Sequence, residues 1–347
     1  MLLGEYSVLF GHPAVVMAVN RRARVDLRAA EGGSWSVAAP GFAEMPTAFD
    51  LDRDRGFRWR EPETEAAARL MLVEKVVGSL VAPKVIDSEA LPPASITLDT
   101  REFFQSTVGG SVKLGLGSSA ALTVALTEAL GHWTPEVEGQ AGVDLGQLLD
   151  LHRSFQGGRG SGIDLAASFT GGVVEYRLTE GGRTPTARPL ELPEGLLLVF
   201  LWTGRSASTA GFLARLDDGM QKDRGPIADA LAKLGRVSSE GIAHLRAGDV
   251  TAFLGDVNDF ELAMEQLGHV AEIPILSDEH LEIRRLARDA GVSYKPSGAG
   301  GGDVGIGFTD DPELATRFSA KAADAGFFPQ ELEVDPQGVH LKLKTKN

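Results

Sequence analysis

The most informative segment of the sequence reads KLGLGSSAAL and runs from Lys113 to Leu122. Two glycines and two serines come before small apolar residues, and glycine has no Cβ, so backbone amides in such a loop can approach an anion closely. The lysine precedes the glycines, and no Gly-Lys-Ser/Thr follows them. This order excludes the common P-loop. We therefore predict a phosphate cradle of another kind, formed by a glycine loop and the start of a helix.

The helix after this loop is predicted from Ala120–Leu130, which is rich in Ala and Leu around most of its surface. Such a pattern indicates a buried helix, and we expect Ser118 or Ser119 to cap it. Its N-terminus adds free amides and roughly half a positive charge. The candidate phosphate-binding residues are Gly115, Leu116, Gly117, Ser118, Ser119 and Ala120.

Two other interpretations also fit the sequence of this loop. A tight turn with a serine cap would have the same sequence, and it stays open. The spacing of Gly115, Gly117 and Ala120 also fits a dinucleotide fingerprint, which requires a strand ending in Asp or Glu about 20 residues further on. The helix is followed instead by a His-Trp-Thr-Pro breaker at 132–135. The dinucleotide interpretation is therefore disfavoured.

Composition limits the class of protein. The sequence has 347 residues, enough for two domains or one large one. It contains no cysteine, which excludes disulfides and thiolate chemistry and makes the cytoplasm the expected compartment. The net charge of −14 predicts no nucleic-acid partner, and no apolar run is long enough for a membrane span. An anionic small molecule remains a compatible partner if basic residues gather in one cleft, and monomer and homodimer both stay open.

Two further glycine-rich segments stand out, QGGRGSGIDLAAS at Gln156–Ser168 and KPSGAGGGDVG at Lys295–Gly305. Asp164 follows the first of them near a predicted helix start, so it is the carboxylate best placed for chemistry, although an N-cap aspartate would look the same. Basic residues fall inside or beside the glycine segments and indicate a local anion site. They are Lys113, Arg153, Arg159, Arg205 and Lys295.

A third feature is the stretch WTGRSAST at Trp202–Thr209, where a predicted buried strand ends in four hydroxyls and an arginine. Donors of this kind suit phosphate or carboxylate. A capped helix start would have the same composition, so both interpretations stay open.

Periodicity predicts strand, helix, strand in the second half, which indicates a split βαβ sandwich. Strands are predicted at Ser7–Val19 (two strands around a Gly-His-Pro turn), Arg22–Val37, Ser95–Thr100, Leu196–Trp202, Asp303–Thr309 and Val339–Lys344. Helices are predicted at Ala66–Leu80, Pro226–Arg246, Asp249–Leu267, Asp278–Ala290 and Pro312–Ala325, and Pro40–Glu63 is predicted to be irregular. A polar Gly/Pro-containing stretch at Gly181–Arg188 marks the expected boundary between domains 1–185 and 186–347.

In this order and spacing the glycine segments resemble the GHMP kinase family, small-molecule kinases named for galactose, homoserine, mevalonate and phosphomevalonate. Gly4–Leu9 (GEYSVL) resembles the first motif of the family, Gly115–Ala121 (GLGSSAA) resembles the second, and Ser297–Asp303 (SGAGGGD) resembles the third. The resemblance implies an α+β fold with an N-terminal domain like ribosomal protein S5 domain 2 and a ferredoxin-like C-terminal domain. It also implies an ATP-dependent kinase that uses Mg²⁺, with Ser119 as a candidate magnesium ligand.

The type of acceptor changes what the site residues must do. An alcohol needs a general base, worth about 10²–10⁴-fold. A phosphate monoester is mostly dianionic at pH 7, so it needs cations more than a base. The basic residues favour a phosphorylated acceptor, with Lys113 and Asp164 as expected catalytic residues. Substrate contacts are expected from Arg159, Ser161, Arg205, Ser206, Ser208, Gly300 and Gly301.

The sequence departs from the family pattern in two places. Mevalonate-type members carry a magnesium-binding glutamate eleven residues before the aspartate, a position that Arg153 occupies here. Members also usually have a Pro-Gly-Lys segment before the first motif, and the sequence begins at Met1 without it. Two alternatives therefore stay open: a family member that phosphorylates an alcohol or sugar, and a catalytically silent nucleotide-binding protein.

Overall fold

The computed structural model describes residues 1–52, 56–81, 91–107, 110–133, 143–155, 160–179, 184–207 and 209–342. The strands are β1 (Ala14–Met17), β2 (Arg24–Ala29), β3 (Trp35–Ala39), β4 (Ala43–Asp52), β5 (Gly56–Trp59), β6 (Ala94–Asp99), β7 (Phe104–Thr107), β8 (Gly110–Lys113), β9 (Val173–Leu178), β10 (Pro185–Leu190), β11 (Leu197–Trp202), β12 (Ser293–Pro296), β13 (Val304–Thr309) and β14 (Phe328–Gln330). The helices are α1 (Glu65–Arg69), α2 (Met71–Val81), α3 (Ser118–Gly131), α4 (Leu145–Phe155), α5 (Ile163–Thr170), α6 (Thr209–Lys222), α7 (Arg224–Ala247), α8 (Val250–Val270), α9 (Asp278–Ala290) and α10 (Pro312–Asp324). Across the described ranges, no helix combines the length and the apolar character that crossing a membrane requires.

The chain forms two compact units that interleave along the sequence. The first unit comprises Met1–Asn20, Gln105–Leu116 and Gly171–Pro336, and the second comprises Arg21–Phe104, Gly117–Thr170 and Gln337–Asn347. The chain passes from the first unit into the second between Leu116 and Gly117, inside the glycine loop. The division at residues 185 and 186 concerns the family's two domains and stays a prediction.

The first unit contains an antiparallel sheet with the strand order β12-β13-β11-β14. Helices α6 to α9 lie between β11 and β12 in the chain, and α10 lies between β13 and β14. This is the order of a split βαβ sandwich, so the prediction for the second half of the chain is confirmed. Residues of α7, α8, β11 and β13 share one buried hydrophobic core. A second sheet of the same unit has the order β1-β9-β10.

The second unit is a five-stranded sheet with helices. The strand order is β2-β6-β3-β4-β5, in which β3 pairs with β6 in parallel and the other neighbours are antiparallel. Helix α3 packs on β2 and on helices α2, α4 and α5. Its Val124, Leu126 and Leu130 are buried, as the Ala/Leu-rich sequence predicted. The α+β class is confirmed by the two units together.

Three predicted segments differ from the structure. Ser7–Phe10 is a 3₁₀ turn, because Gly11 adopts φ 84° and its amide closes onto the Ser7 and Val8 carbonyls. Pro40–Glu63 contains β4 and β5, whose Phe49, Phe57 and Trp59 pack against one another. Over 339–342 the structure has no strand, and the Val339 amide bonds singly to the Phe169 carbonyl.

Candidate functional site

The start of α3 is open to an anion. Its N-cap is Gly117, which lies in the left-handed region with φ 75°. The prediction that Ser118 or Ser119 caps the helix is therefore wrong, because both serines are already helical and the glycine supplies the turn. Glycine has no side chain to bond the amides of the first helical turn, and these amides have no partner inside the helix. Ser118 is buried and Ser119 is half-buried. The amides and the helix dipole suit a phosphate group.

Asp164 lies beside this helix start. A Cβ built on Gly117 would be 3.3 Å from Cβ and Cγ of Asp164, a contact tighter than most side chains tolerate. Asp164 is in the first turn of α5 and is exposed, so it does not have the position of an N-cap. The second unit therefore brings the exposed carboxylate and the open amides of α3 together, as the glycine segments predicted.

The segment before α5 is fixed by polar contacts. Arg153 donates from Nε and Nη2 to the Gly160 carbonyl at 3.0 and 2.9 Å. The Ser161 hydroxyl accepts from the Ile163 amide at 3.3 Å. His152 is buried, and burial lowers its pKa while the Asp164 carboxylate opposes that shift. Arg153 thus supports the loop that carries Asp164.

In the first unit the other end of the glycine loop meets a second carboxylate. A Cβ on Gly115 would lie 2.3 Å from Cγ of Asp303, and Gly115 has φ 76°. Burial raises the pKa of Asp303, while bonds from the Ala207 amide and the Ser206 hydroxyl and the charge of Lys113 oppose that shift. Lys113 is exposed, and Leu116 packs on the hydrophobic core of this unit. Sequence reasoning missed Asp303 as a separate site residue, although it ends the third motif.

The third glycine segment adopts a left-handed backbone that is closely packed against its neighbours. Gly300 and Gly301 have φ values of 76° and 75°. A Cβ on Gly300 would lie 2.3 Å from the Ile275 carbonyl oxygen, and a Cβ on Gly301 would lie 2.4 Å from Cζ of Phe212. The Gly301 amide donates to the Ile275 carbonyl at 2.7 Å. Neither position accommodates a side chain.

Arg205 and Ser206 lie next to this segment in the same unit. The Arg205 side chain is 64% exposed, so an incoming anion can reach it, and its guanidinium lies 3.6 Å from the Glu279 carboxylate. The Ser206 hydroxyl donates to Asp303 Oδ1 at 3.3 Å. The remaining predicted substrate contacts, Arg159 and Ser208, lie outside the described residues.

Lys295 is a buried ion-pair partner. Its ammonium lies 2.5 Å from Glu5 Oε1, and both side chains are fully buried. Burial lowers the pKa of Lys295, and the Glu5 carboxylate opposes that shift. Glu5 also accepts from the Gly298 amide at 3.3 Å. The pair joins the first motif to the third, and Lys295 does not face solvent as a cation.

His280 is the second residue that sequence reasoning missed. It is fully buried in α9, and its Nε2 lies 2.9 Å from the Gly302 carbonyl. Burial lowers its pKa to about 4. No motif marked this residue, because its partners come from other elements.

The lowered pKa of His280 predicts a pH dependence of stability. The folded pKa lies below the ordinary value of 6.5, so between about pH 6.5 and 4 the unfolded chain binds more protons. The free energy of unfolding should therefore fall as pH drops through this window, by about 3 kcal/mol for this group. Urea unfolding of the native protein and His280→Gln between pH 7 and 4.5 measures the effect. The variant should have the shallower slope, and parallel slopes would contradict the assignment.

Magnesium has candidate ligands but no preformed cluster. Within the described ranges, no group of three or more His, Cys, Asp or Glu side chains could hold a metal ion. Mg²⁺ commonly binds through one or two carboxylates and substrate phosphates, so such a cluster is not required. The half-buried Ser119 in the first turn of α3 and the exposed Asp164 of α5, which lies beside Gly117, fit that donor set.

Two family models match parts of the chain. The family model for the GHMP kinases N terminal domain matches residues 85–172, and that for the GHMP kinases C terminal domain matches residues 247–326. The phosphomevalonate kinase of Streptomyces sp. (strain CL190) is 28% identical, with 88% of this chain and 87% of that protein covered. The mevalonate kinase of Thermococcus gammatolerans is 26% identical, with 99% and 96% covered.

A solved structure supports the fold. The Streptococcus pneumoniae phosphomevalonate kinase in complex with phosphomevalonate and AMPPNP superposes with a TM-score of 0.73 at 18% identity, covering 96% of each chain. At this identity the likeness concerns the fold alone.

Proposed function

Because the chain belongs to the GHMP kinase family, we propose that it is an ATP-dependent kinase that converts (R)-5-phosphomevalonate to 5-diphosphomevalonate in the mevalonate route to isoprenoids. The proposal goes beyond the family in two respects, the identity of the acceptor and the roles of individual residues.

The observation that carries the proposal is the position of Asp164 beside the start of α3. The open amides of the first turn suit the phosphates of ATP, with contacts from the loop residues 115–120. The exposed carboxylate lies against Gly117, so it faces the same helix start. An anion site with an adjacent carboxylate is what phosphoryl transfer requires, since catalysis there is mainly positioning and charge stabilisation.

The choice of a phosphorylated acceptor rests on charge. The first unit presents exposed cationic side chains at Lys113 and Arg205, close in sequence to the second motif and to the end of β11. A phosphate acceptor and ATP repel each other, and arginine neutralises phosphate with well-directed donors. The Streptomyces relative also carries the name phosphomevalonate kinase, whereas the Thermococcus relative is a mevalonate kinase at similar identity. An alcohol acceptor is therefore the competing hypothesis.

In the proposed reaction an oxygen of the acceptor phosphate forms a bond to the γ-phosphorus of ATP, and the bond from that phosphorus to the β-bridging oxygen breaks. ADP leaves with the electron pair of the broken bond. The acceptor oxygen is already deprotonated, so Asp164 orients the acceptor or a cation and does not remove a proton. Lys113 and Arg205 offset the charge of the phosphates, and Ser206, Ser161, Gly300 and Gly301 contact the acceptor. Mg²⁺, when bound at Ser119 and Asp164, would neutralise charge on the phosphates of ATP.

The test is ADP release by the purified protein with phosphomevalonate, mevalonate and galactose as separate acceptors. We expect turnover with phosphomevalonate and at least about 10²-fold lower kcat/KM with mevalonate and galactose, because these two acceptors carry no phosphate for Lys113 and Arg205 to bind. Preferred turnover of mevalonate or galactose would replace the proposed acceptor. Nucleotide binding without turnover of any acceptor would indicate a catalytically silent protein.

Asp164→Asn separates a positioning role from a general-base role. If the acceptor is a phosphate dianion, kcat should fall by less than about 10²-fold, because no proton has to be removed. Asp150→Asn, an exposed aspartate on α4, is the matched control and should leave kcat unchanged. A loss of about 10³-fold or more in steady-state kcat that persists at saturating Mg²⁺ would indicate a base for an alcohol acceptor.

A further inference from the structure

The side chain of His280 has a fixed hydrogen-bonding state. The Gly302 carbonyl can only accept, so the imidazole Nε2 carries the proton and donates to it at 2.9 Å. Nδ1 is then an acceptor, and the Tyr294 hydroxyl lies 2.7 Å from it and donates. Tyr294 is buried on β12, and burial raises its pKa well above the ordinary value, which keeps the hydroxyl protonated. A neutral imidazole with one tautomer thus connects β12 to the third glycine segment.

The carbonyl that His280 binds lies at a crowded junction. Gly302 has φ 150°, and a Cβ there would be 2.8 Å from the Arg205 carbonyl oxygen. The next residue, Asp303, has φ 57° and donates its amide to the same Arg205 carbonyl at 2.7 Å. The orientation of the Gly302 peptide therefore sets the position of the Arg205 backbone relative to the glycine segment.

The start of α9 holds the glycine segment at two adjacent points. Ile275, three residues before the helix begins, accepts from the Gly301 amide at 2.7 Å. His280, in the first turn of α9, binds the Gly302 carbonyl. Glycine loses more conformational freedom on folding than any other residue, so Gly300 and Gly301 need such contacts to keep one conformation. Glu279, also in this turn, lies 3.6 Å from the Arg205 guanidinium.

We propose that His280, oriented by Tyr294, is a positioning residue that holds the third glycine segment and Arg205 in the arrangement that binds the acceptor phosphate. The inference rests on the proposed function, because it assigns the acceptor to this segment. His280 does not touch the acceptor in this scheme and acts through Gly302.

The competing explanation is that His280 only fills the core. The two explanations differ in which kinetic parameter changes. Loss of core packing lowers the folded fraction and leaves the KM values of the remaining folded protein unchanged, whereas displacement of Gly302 weakens acceptor binding specifically.

The experiment compares His280→Leu, His280→Gln and Tyr294→Phe in the full-length protein, with Ile283→Ala as a control. Ile283 is a fully buried residue of the same helix that makes no polar contact, so its truncation reports loss of packing alone. For His280→Leu we expect the phosphomevalonate KM to rise about tenfold or more and the ATP KM to stay within about twofold. His280→Gln can still donate to Gly302 and should recover most of the loss. Equal KM values in His280→Leu and Ile283→Ala would overturn the proposal.

Two further measurements keep the test decisive. If His280→Leu does not fold, Tyr294→Phe removes a single oxygen and should raise the acceptor KM in the same direction, and an unchanged KM would overturn the proposal. Hydrogen exchange of a peptide covering residues 297–303 measures the opening of the third glycine segment and requires no turnover. It should accelerate in Tyr294→Phe and stay at the native rate in Ile283→Ala, and equal rates would overturn the positioning role. If the native protein turns over no acceptor, the proposed function fails while the exchange result still decides the role of His280.

Discussion

Gly117→Val is expected to lower kcat/KM for ATP by about 10²-fold or more. Gly117 has φ 75°, a region that a β-branched residue enters only as an outlier. The added Cβ would also meet Asp164 at 3.3 Å, so either the carboxylate or the start of α3 must move. Both consequences act on the proposed ATP site, one on the amides and one on Asp164.

The measurement is steady-state kinetics together with nucleotide affinity from fluorescence titration. Gly131→Val is a matched control, because Gly131 ends the same helix, has no left-handed φ, and a Cβ built there meets nothing within 4 Å apart from its chain neighbours and the backbone of its own helix. We expect the control to retain native kinetics. If Gly117→Val bound ATP and turned over acceptor as well as the control, α3 would not be the ATP site.

Much of the candidate site could be predicted from sequence because its residues are local to short motifs. The Ala/Leu pattern predicted α3, and a glycine loop predicted that Asp164 would lie near a helix start. That Asp164 would lie beside the start of α3 was implied by the resemblance to the family. The cap residue could not be predicted in this way, because Ser and Gly both suit the start of a helix. Only the backbone angles distinguish Gly117 from Ser118 as the cap.

The parts that could not be predicted depend on contacts between distant segments. Lys295 and Glu5 are 290 residues apart, and a lysine beside a glycine segment is ordinarily a solvated cation. His280 is on a helix whose sequence gave a correct prediction of secondary structure, yet its partners Tyr294 and Gly302 come from a strand and a loop. The strand β4 was missed because Pro46 and acidic residues interrupt its apolar positions. Its strand state is stabilised by pairing and by the aromatic cluster around Phe49.

The burial of Lys295 leads to the largest expected effect on stability. Lys295→Met should lower the free energy of unfolding by about 3–5 kcal/mol, because it leaves the Glu5 carboxylate buried without its counter-charge. That loss is a large share of the stability of a typical domain, about 5–15 kcal/mol. Chemical denaturation followed by circular dichroism measures it. Arg285→Met is the exposed control: Arg285 pairs with Glu282 at 2.7 Å but is 58% exposed, so its loss should leave the free energy of unfolding close to that of the native protein.

The double variant Glu5→Gln/Lys295→Met tests whether the loss comes from the unpaired charge. A glutamine at position 5 keeps an oxygen that can accept from the Gly298 amide, and it carries no charge that needs compensation. Replacing a buried ion pair with uncharged residues of similar volume is often nearly neutral, so the double variant should recover most of the stability that Lys295→Met loses. If it were as unstable as the single variant, the contribution of Lys295 would come from its packing against Phe260, whose ring centroid lies 5.6 Å from the ammonium. Recovery of stability would instead indicate that the ion pair joins the first and third motifs at little net gain in free energy, and that its value lies in fixing their relative positions.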